Sequence, residues 1–170
     1  MTPDDGILRP ISILDADLTR KWRNQDAVRH FMFNTAVVQA NDHQNWLQGV
    51  INDPERFYYV YEENSAAIGL VGLIFTDLDA GEADWSFYKG AAHARRGAGF
   101  RMLRVALTQF FSQLEGKRLR GEVLEDNIAS RILHQKLGFE MVEPSSRTVL
   151  HRGTQKQVFH FRLHRSAWHA

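Results

Sequence analysis

The sequence contains no cysteine, so disulfide bonds, thiolate nucleophiles and zinc sites built on cysteine are all excluded. It also lacks any apolar run near the ~18 residues that a membrane-spanning helix needs. The stretch 1–6, Met-Thr-Pro-Asp-Asp-Gly, is acidic and polar and so does not resemble a signal peptide. We therefore expect a cytoplasmic protein that has no membrane partner.

An excess of charge of one sign is missing as well. The 21 lysines and arginines nearly cancel the 20 aspartates and glutamates, so bulk charge gives no reason to expect a nucleic-acid partner. What the chain does have is apolar residues, at 44% of the total, which suffices for a packed core in a chain of 170 residues. We expect one domain over 1–170, with 1–6 as a flexible tail.

The order of hydrophobic patterns predicts an α/β fold. Helical spacing places Leu14, Leu18 and Trp22 on one buried face, and a short helix is expected around 28–32. A third helix, capped by Asn41 or Asp42, would bury Trp46, Leu47, Val50 and Ile51. Further helices are expected from residue 100 to Gly116 and over 127–136, and strands over 7–13, 56–62, 67–75, 83–88, 119–124, 149–152 and 157–164. The pattern predicts a mixed sheet of about seven strands, with an antiparallel meander over 56–88 and helices on both faces.

A glycine-rich turn leads directly into the helix that begins near residue 100. Gly97 and Gly99 would let backbone amides approach a ligand closely, and a helix N-terminus favours anions such as a pyrophosphate. Arg95, Arg96 and Arg101 add positive charge around this turn. No Gly-Lys-Ser/Thr follows and the third glycine of a dinucleotide fingerprint is absent, so neither of those two phosphate motifs applies. Taken alone, the pattern is also compatible with a plain turn.

A second segment, about thirty residues further on, identifies a family. Gly97-x-Gly99 before a long helix, a strand with Glu122-Val123, and the run from Asn127 to Phe139 together resemble the GNAT acetyltransferases. The family usually has Gln or Arg where this chain has Ala94, and this departure puts one diphosphate contact in question. The resemblance implies acetyl-CoA (CoA) as cofactor and N-acetyl transfer as activity. The cofactor-binding residues it implies are Phe87, Tyr88, Lys89, Arg95, Arg96, Gly97, Ala98, Gly99, Phe100, Arg101, Asn127, Ser130 and Lys136.

Within that family, four short patterns resemble the N-acetyltransferases of pseudaminic acid biosynthesis. They are Trp22-Arg23-Asn24, His43-x-x-Trp46, Trp85-x-Phe87-Tyr88 and 133–139. The resemblance implies acetylation of the 4-amino group of a UDP-linked 4-amino-4,6-dideoxy sugar, a nucleotide sugar used in flagellin glycosylation. The acceptor-binding residues it implies are Arg23, Asn24, Arg29, His43, Trp85 and Lys89. Alternatives that stay open are acetylation of a protein N-terminus, as in ribosomal-protein acetyltransferases, or of a small amine, and a non-catalytic module that binds acetyl-CoA.

The resemblance also implies two catalytic residues. Glu122 would act as a base through a water, and His134 stands where many relatives have a tyrosine that protonates the leaving thiolate. Each has a structural alternative: Glu122 as an exposed strand carboxylate, His134 as a packed helix histidine. Asn127 is equally suited to capping the following helix.

No metal site is expected. Although the chain has eight histidines, His160 and His164 on the last predicted strand are too far apart to share an ion, because a strand rises ~3.3 Å per residue. As assemblies, a homodimer is predicted, and a role as the partner subunit of another protein stays open.

Overall fold

The computed structural model describes residues 6–142 and 147–169, which contain five α-helices and eight strands. The helices are α1 (Ala16–Asn24), α2 (Asp26–Arg29), α3 (Ala40–Ile51), α4 (Ala98–Thr108) and α5 (Ile128–Lys136). The strands are β1 (Ile7–Pro10), β2 (Arg56–Glu63), β3 (Ala66–Asp77), β4 (Glu82–Lys89), β5 (Arg118–Leu124), β6 (Glu140–Val142), β7 (Thr148–His151) and β8 (Thr154–His164). The predicted tail falls largely on 1–5, outside the described residues. No helix in the described part of the chain is long and apolar enough to cross a membrane.

The strands form one mixed sheet in the order β1-β2-β3-β4-β5-β8-β6, with β7 paired to β8. Neighbours are antiparallel except β4 and β5, which run parallel through only three residue pairs, from Glu82–Arg118 to Asp84–Arg120. The predicted antiparallel meander over β2, β3 and β4 is confirmed, as is the mixed α/β class. The strand β6 was not predicted, because three residues are too few to establish a period of two.

Helices cover the sheet on both faces, as predicted. On one face, which we call the cofactor face, the amphipathic helix α4 buries Met102, Leu103, Ala106 and Leu107 against the sheet, and α5 packs beside it. On the other, which we call the acceptor face, α3 buries Leu47 and Val50 against Val60 and Leu70. The side chains of α1, including Trp22, close the edge of this layer next to Gly90, whose missing side chain makes room for the indole.

Of the three residues that were predicted to lie on one face of the first helix, only Trp22 is buried. Leu14 is 90% exposed and Leu18 is 36% exposed, whereas Trp22 is buried. The cause lies in Asp15, which is buried and accepts two hydrogen bonds from the guanidinium of Arg9. This ion pair turns the chain so that the helix starts at Ala16 and directs Thr19 and Trp22 inward.

Two helix boundaries also differ from the prediction. The third helix begins at Ala40 after Gln39, so neither Asn41 nor Asp42 is its cap, and Ile51 is 46% exposed. The helix that was expected to reach Gly116 ends as regular α-helix at Thr108 and continues as the π-helical turn Gln109–Gln113. A side chain at Gly116 would collide with the Phe110 ring, so this position after the turn requires glycine.

Candidate active site

The site is created where β4 and β5 separate. Beyond Asp84 and Arg120 the two strands no longer pair, although β4 continues to Lys89 and β5 to Leu124. Because a strand presents alternate backbone groups to each neighbour, the free side of β4 over 85–89 offers unpaired amides and carbonyls. The separation therefore opens a slot with hydrogen-bonding backbone along one wall.

The separation forms a cleft of about 820 Å³ that opens on both faces of the sheet. Its lining includes Phe87, Gly99 and Leu133 from the cofactor face, and Ser86, Glu122 and His160 from the acceptor face. Residues 27–28 and 31–33, around the short helix α2, border it on the acceptor side. Two molecules could thus approach one point from opposite faces of the sheet.

The start of α4 borders the cleft and has the features of an anion site. Gly97 precedes the helix with a φ of +82°, a conformation that suits glycine. No side chain in the described residues caps this helix, and its first turn carries no acidic residue. Gly99 lines the cleft, and a Cβ placed there would meet only Leu133, at 3.8 Å, so the space beside these amides is open. The Ala98 amide donates to the Arg95 carbonyl at 3.0 Å, so of the predicted residues it is Gly99 and Phe100 whose first-turn amides fit a diphosphate, with Gly97 and Ala98 shaping the turn.

The arginines of this turn are less available than the sequence suggested. The Arg101 guanidinium donates to both carboxylate oxygens of the buried Glu63, at 2.8 and 3.1 Å, and to the carbonyl of Arg96. Arg95 Nε lies 3.5 Å from the same carboxylate. The hydrogen bond from Arg101 is the main cause that lowers the pKa of Glu63. Glu63 thus holds the loop in shape and offsets part of the charge that was predicted to face a pyrophosphate.

The start of α5 forms the opposite rim of the cleft. Asn127 Oδ1 accepts the Ser130 amide at 3.1 Å, so Asn127 is the helix cap, and both residues line the cleft. The amide group of the Asn127 side chain remains a donor for a ligand. Lys136, predicted to bind the cofactor, lies exposed in the last turn of α5 and does not border the cleft.

His134 is buried, and both of its ring nitrogens have partners. A carbonyl can only accept and an indole N–H can only donate. Nδ1–H therefore donates to the Ser130 carbonyl at 2.8 Å, and Nε2 accepts from Trp85 Nε1 at 3.0 Å. Burial lowers the pKa of His134 to about 4, which keeps the ring neutral. No N–H is left for a leaving thiolate, so the geometry does not supply the predicted acid.

Trp85 and Gly121 complete the wall at the point of separation. Trp85 is buried, stacks on Phe139 and donates to His134, so it is not a free surface for stacking an acceptor. A Cβ at Gly121 would lie 2.5 Å from His134 Nε2 and 2.7 Å from Trp85 Nε1. Glycine on β5 is thus what allows the hydrogen bond between β4 and α5 to pass beneath that strand.

Glu122 lies on the acceptor face at the widening of the cleft. Its carboxylate accepts from Arg147 Nη1 at 2.5 and 2.7 Å, and His160 Nδ1 lies 3.5 Å from Oε1. His160 stands directly opposite Glu122 in the β5–β8 pairing. Within 6–142 and 147–169 no three potential metal ligands cluster.

A second cavity, of about 340 Å³, lies under α1 and α3 beside β4. Two of the predicted acceptor residues, Arg23 and His43, line it, and no acidic residue does so among the described residues. Arg23 donates to the Asn34 carbonyl at 2.5 Å, while its Nη1 is buried and has no partner in the described part of the chain. Burial is the main cause that lowers the pKa of Arg23. His43 donates to Thr19 Oγ1 at 2.8 Å, because that hydroxyl already donates to the Asp15 carbonyl.

The other predicted acceptor residues have different positions. The side-chain amide of Asn24 accepts from the Val38 N–H at 2.8 Å and donates to the Val38 carbonyl at 2.9 Å, and so it anchors a loop. Arg29 pairs with Asp26 and the Thr35 carbonyl and borders neither cavity. Lys89, exposed at the end of β4, lines the main cleft together with Phe87 and Tyr88. The structure therefore keeps Arg23, His43 and Lys89 near the cavities and gives Asn24, Arg29 and Trp85 structural contacts.

The sequence reasoning missed three contributors to the site: Gly121, the place of Tyr58 in the aromatic wall of the second cavity, and the position of His160 in the cleft. Trp46, Tyr58 and Tyr88 form that wall. The position of His160 follows from strand register, since it faces Glu122 across β5 and β8, and register is not evident from either segment alone. The only sequence feature that pointed to this pairing was the alternation of polar and apolar residues in both β5 and β8, which places Glu122 and His160 each on a polar face.

Comparison with known proteins agrees with this geometry. Residues 6–140 match the family model described as acetyltransferase (GNAT) domain. The chain is 31% identical over 121 residues to an uncharacterized, SPbeta prophage-derived N-acetyltransferase, YokL, of Bacillus subtilis. That alignment covers 69% of this chain and 63% of the relative's length.

Solved structures share the fold at low sequence identity. A spermidine N-acetyltransferase from Vibrio cholerae, in complex with CoA and spermine, superposes with a TM-score of 0.88 at 18% identity, covering 96% of this chain and 97% of that one. A ribosomal L7/L12 α-N-protein acetyltransferase, RimL, in complex with CoA, gives 0.81 at 13% identity, covering 92% of each chain. With the family model spanning most of its length, and a slot and helix start that fit the acetyl-CoA used by that family, the chain belongs to the GNAT acetyltransferases.

Proposed function

We propose that this protein transfers the acetyl group of acetyl-CoA to the 4-amino group of a UDP-linked 4-amino-4,6-dideoxy sugar. The second cavity carries the proposal. It combines two basic side chains, Arg23 and His43, with an aromatic wall and has no acidic residue among its described lining. A nucleotide sugar has the matching parts: a diphosphate for the cation and a planar base for the aromatic wall.

The unpaired nitrogen of Arg23 gives this match physical weight. A buried polar group without a partner costs about 1–3 kcal/mol, and a ligand acceptor in the second cavity would remove that cost at Arg23. No carboxylate of the described residues forms an ion pair with Arg23. An acceptor that carries negative charge would supply that partner, whereas a polyamine would place ammonium groups beside a guanidinium.

When bound, acetyl-CoA supplies the acetyl group as a thioester. Amides of the α4 first turn hold its diphosphate, and the free side of β4 over 85–89 holds the extended arm by strand-like hydrogen bonds. A backbone amide of Phe87–Lys89 donates to the thioester oxygen, where negative charge gathers during transfer. Asn127 contributes its side-chain N–H₂ from the opposite rim.

The acceptor amine enters from the other face of the sheet. Residues 31–33 and Glu122 border that side of the cleft, next to the second cavity. A neutral amine is needed for attack, so a proton acceptor is required on this side of the cleft, and Glu122 takes part in that deprotonation in our proposal. His134 holds the cleft wall by its bond to Trp85, and we assign it no proton transfer.

The test is a thiol-release assay of the wild-type protein and Arg23→Gln, with Lys21→Gln as the matched control. Lys21 is an exposed residue of the same helix and borders neither cavity. Loss of a charge-assisted hydrogen bond worth about 1.5–3 kcal/mol predicts a KM for the UDP-sugar raised about 10–100-fold in Arg23→Gln. The KM for acetyl-CoA should not change in either variant.

The other acceptors are distinguished in the same assay. Thiol release that is faster with spermidine or with an N-terminal peptide than with the UDP-sugar, and that Arg23→Gln does not change, would contradict the proposal. It would favour an activity like that of the structurally similar spermidine or ribosomal-protein acetyltransferases. Absence of release with every amine, at retained acetyl-CoA binding, would favour the non-catalytic module. We keep the homodimer as a prediction, which light scattering of the purified protein tests.

A further inference from the structure

His160 is a cleft residue that the proposed mechanism does not yet use. It lies on β8, its side chain is 35% exposed, and it lines the main cleft on the acceptor face. Its Nδ1 is directed to Glu122, 3.5 Å away, while no described residue forms a hydrogen bond with its Nε2. One nitrogen thus meets a carboxylate and the other is open to the cleft.

We propose that His160 is the general base of the reaction and that Glu122 is its positioning partner. This inference deepens the proposed function and rests on it. Imidazole is the side chain best suited to exchange a proton near neutral pH, whereas a carboxylate of reference pKa ~4.3 is a weak acceptor for an ammonium proton.

The fold places these two side chains together by strand pairing. Glu122 and His160 are direct partners in the antiparallel β5–β8 pairing, and directly opposed side chains lie on the same face. Glu122 is the second residue beyond the last pair that joins β4 to β5, so the two groups stand at the mouth of the slot. Transfer through the slot would bring an amine on the acceptor face to this mouth.

Several charged side chains lie on the strands around His160. Glu122 also accepts from Arg147, which leaves the carboxylate shared between a guanidinium and the imidazole. Arg162 lies two residues along β8 and pairs with Glu140 of β6, and Arg120 of β5 pairs with Asp84 of β4. The residue of β6 opposite His160 is the apolar Val142. Among these groups, Glu122 is the anion aligned with the ring.

The proton balance of the step is simple. The acceptor arrives as an ammonium ion and gives one proton to the lone pair of His160 Nε2. The freed nitrogen lone pair forms the C–N bond to the acetyl carbon as the C–S bond breaks. A second proton leaves the nitrogen and ends on the thiol, and His160 later returns its proton to solvent.

The test compares His160→Gln with His164→Gln across pH. His164 is the matched control, because it lies on the same strand four residues on, faces Arg118 and does not line the cleft. Since a general base contributes about 10²–10⁴-fold, kcat of His160→Gln should fall at least about a hundredfold at pH 7 with unchanged CoA affinity by calorimetry. The deficit should shrink at high pH, where solvent hydroxide deprotonates the amine, and His164→Gln should resemble wild type throughout.

The outcomes separate this inference from the proposed function. The substrate is whichever of the UDP-amino sugar, spermidine or a peptide the wild type acetylates fastest, so a different acceptor refutes the proposed function and leaves the base test intact. A His160→Gln variant with wild-type kcat, or with a deficit equal at every pH, would overturn the base assignment. Absence of turnover by wild type with all three amines would overturn both. Glu122→Gln should lower kcat less than His160→Gln and add little to it in the double variant, because the two act as one unit.

Discussion

Gly121→Ala is the substitution whose consequence the structure specifies most closely. The new methyl group would lie 2.5 Å from His134 Nε2 and 2.7 Å from Trp85 Nε1, two buried atoms that form a 3.0 Å hydrogen bond with each other. Real Cβ contacts do not come this close, so the ring, the indole or the strand must shift. The hydrogen bond across the cleft wall would be the first interaction to break.

The magnitude follows from two contributions. Overpacking of a well-packed core costs about 1–3 kcal/mol, and loss of a buried hydrogen bond with its partners left unpaired costs about 1–3 kcal/mol. For a domain of this size about 1 kcal/mol shifts the melting temperature by ~3 °C, so Gly121→Ala should lower it by about 6–18 °C. Calorimetry or fluorescence-monitored melting measures this directly.

Gly49→Ala is the matched control. Gly49 is an exposed residue inside α3, and a Cβ there meets nothing within 4 Å. Alanine in a helix interior is favoured over glycine by about 0.5–1 kcal/mol, so this variant should melt slightly above wild type. A Gly121→Ala protein that melts as wild type does, with unchanged affinity for CoA, would refute the described contact of Gly121 with Trp85 and His134.

Further predictions concern the cofactor site and pH. Gly99→Glu should weaken acetyl-CoA binding by at least about a hundredfold in calorimetry, because a carboxylate would enter the diphosphate site, whereas Gly99→Ala should still bind, since its Cβ has room. Glu63→Gln should lower CoA affinity and melting temperature together, because Arg101 loses its carboxylate partner; unchanged affinity would contradict the role of Glu63 in shaping the loop. The pKa of His134 is lowered from 6.5 to about 4, so the folded state binds fewer protons, and about 3 kcal/mol of stability should be lost as pH falls from ~6.5 to ~4. His134→Gln should lose that part of the pH dependence. If the melting temperatures of both proteins fall equally as the pH is lowered, His134 is not the source of the acid destabilisation.

The features predicted well were those with strong local periodicity. The three-strand meander and the helices α4 and α5 were evident because their apolar residues repeat at two or at three to four positions over a long stretch. The glycine-rich turn before α4 was also evident, because Gly97 and Gly99 are close in sequence and directly precede a helix. Long-range contacts, in contrast, decided the features that were missed.

Two residues illustrate why. The amphipathic pattern from Leu14 was overridden by Asp15, whose burial depends on Arg9 and on no repeating feature of the helix. His134 was predicted to donate a proton because its neighbours match a family motif, yet its chemistry depends on Trp85, 49 residues earlier in the chain. A motif gives residue types in order, but partners from other strands determine which atoms remain available.

The measurement that tests the account most directly is thiol release by the wild-type protein from acetyl-CoA, with the UDP-4-amino-4,6-dideoxy sugar, spermidine and an N-terminal peptide offered separately. The cation-lined second cavity predicts rapid release with the nucleotide sugar and slow release with spermidine, and Arg23→Gln should reduce that preference. Rapid release with spermidine that Arg23→Gln leaves unchanged or increases would contradict the account, since the cavity would then not select for negative charge.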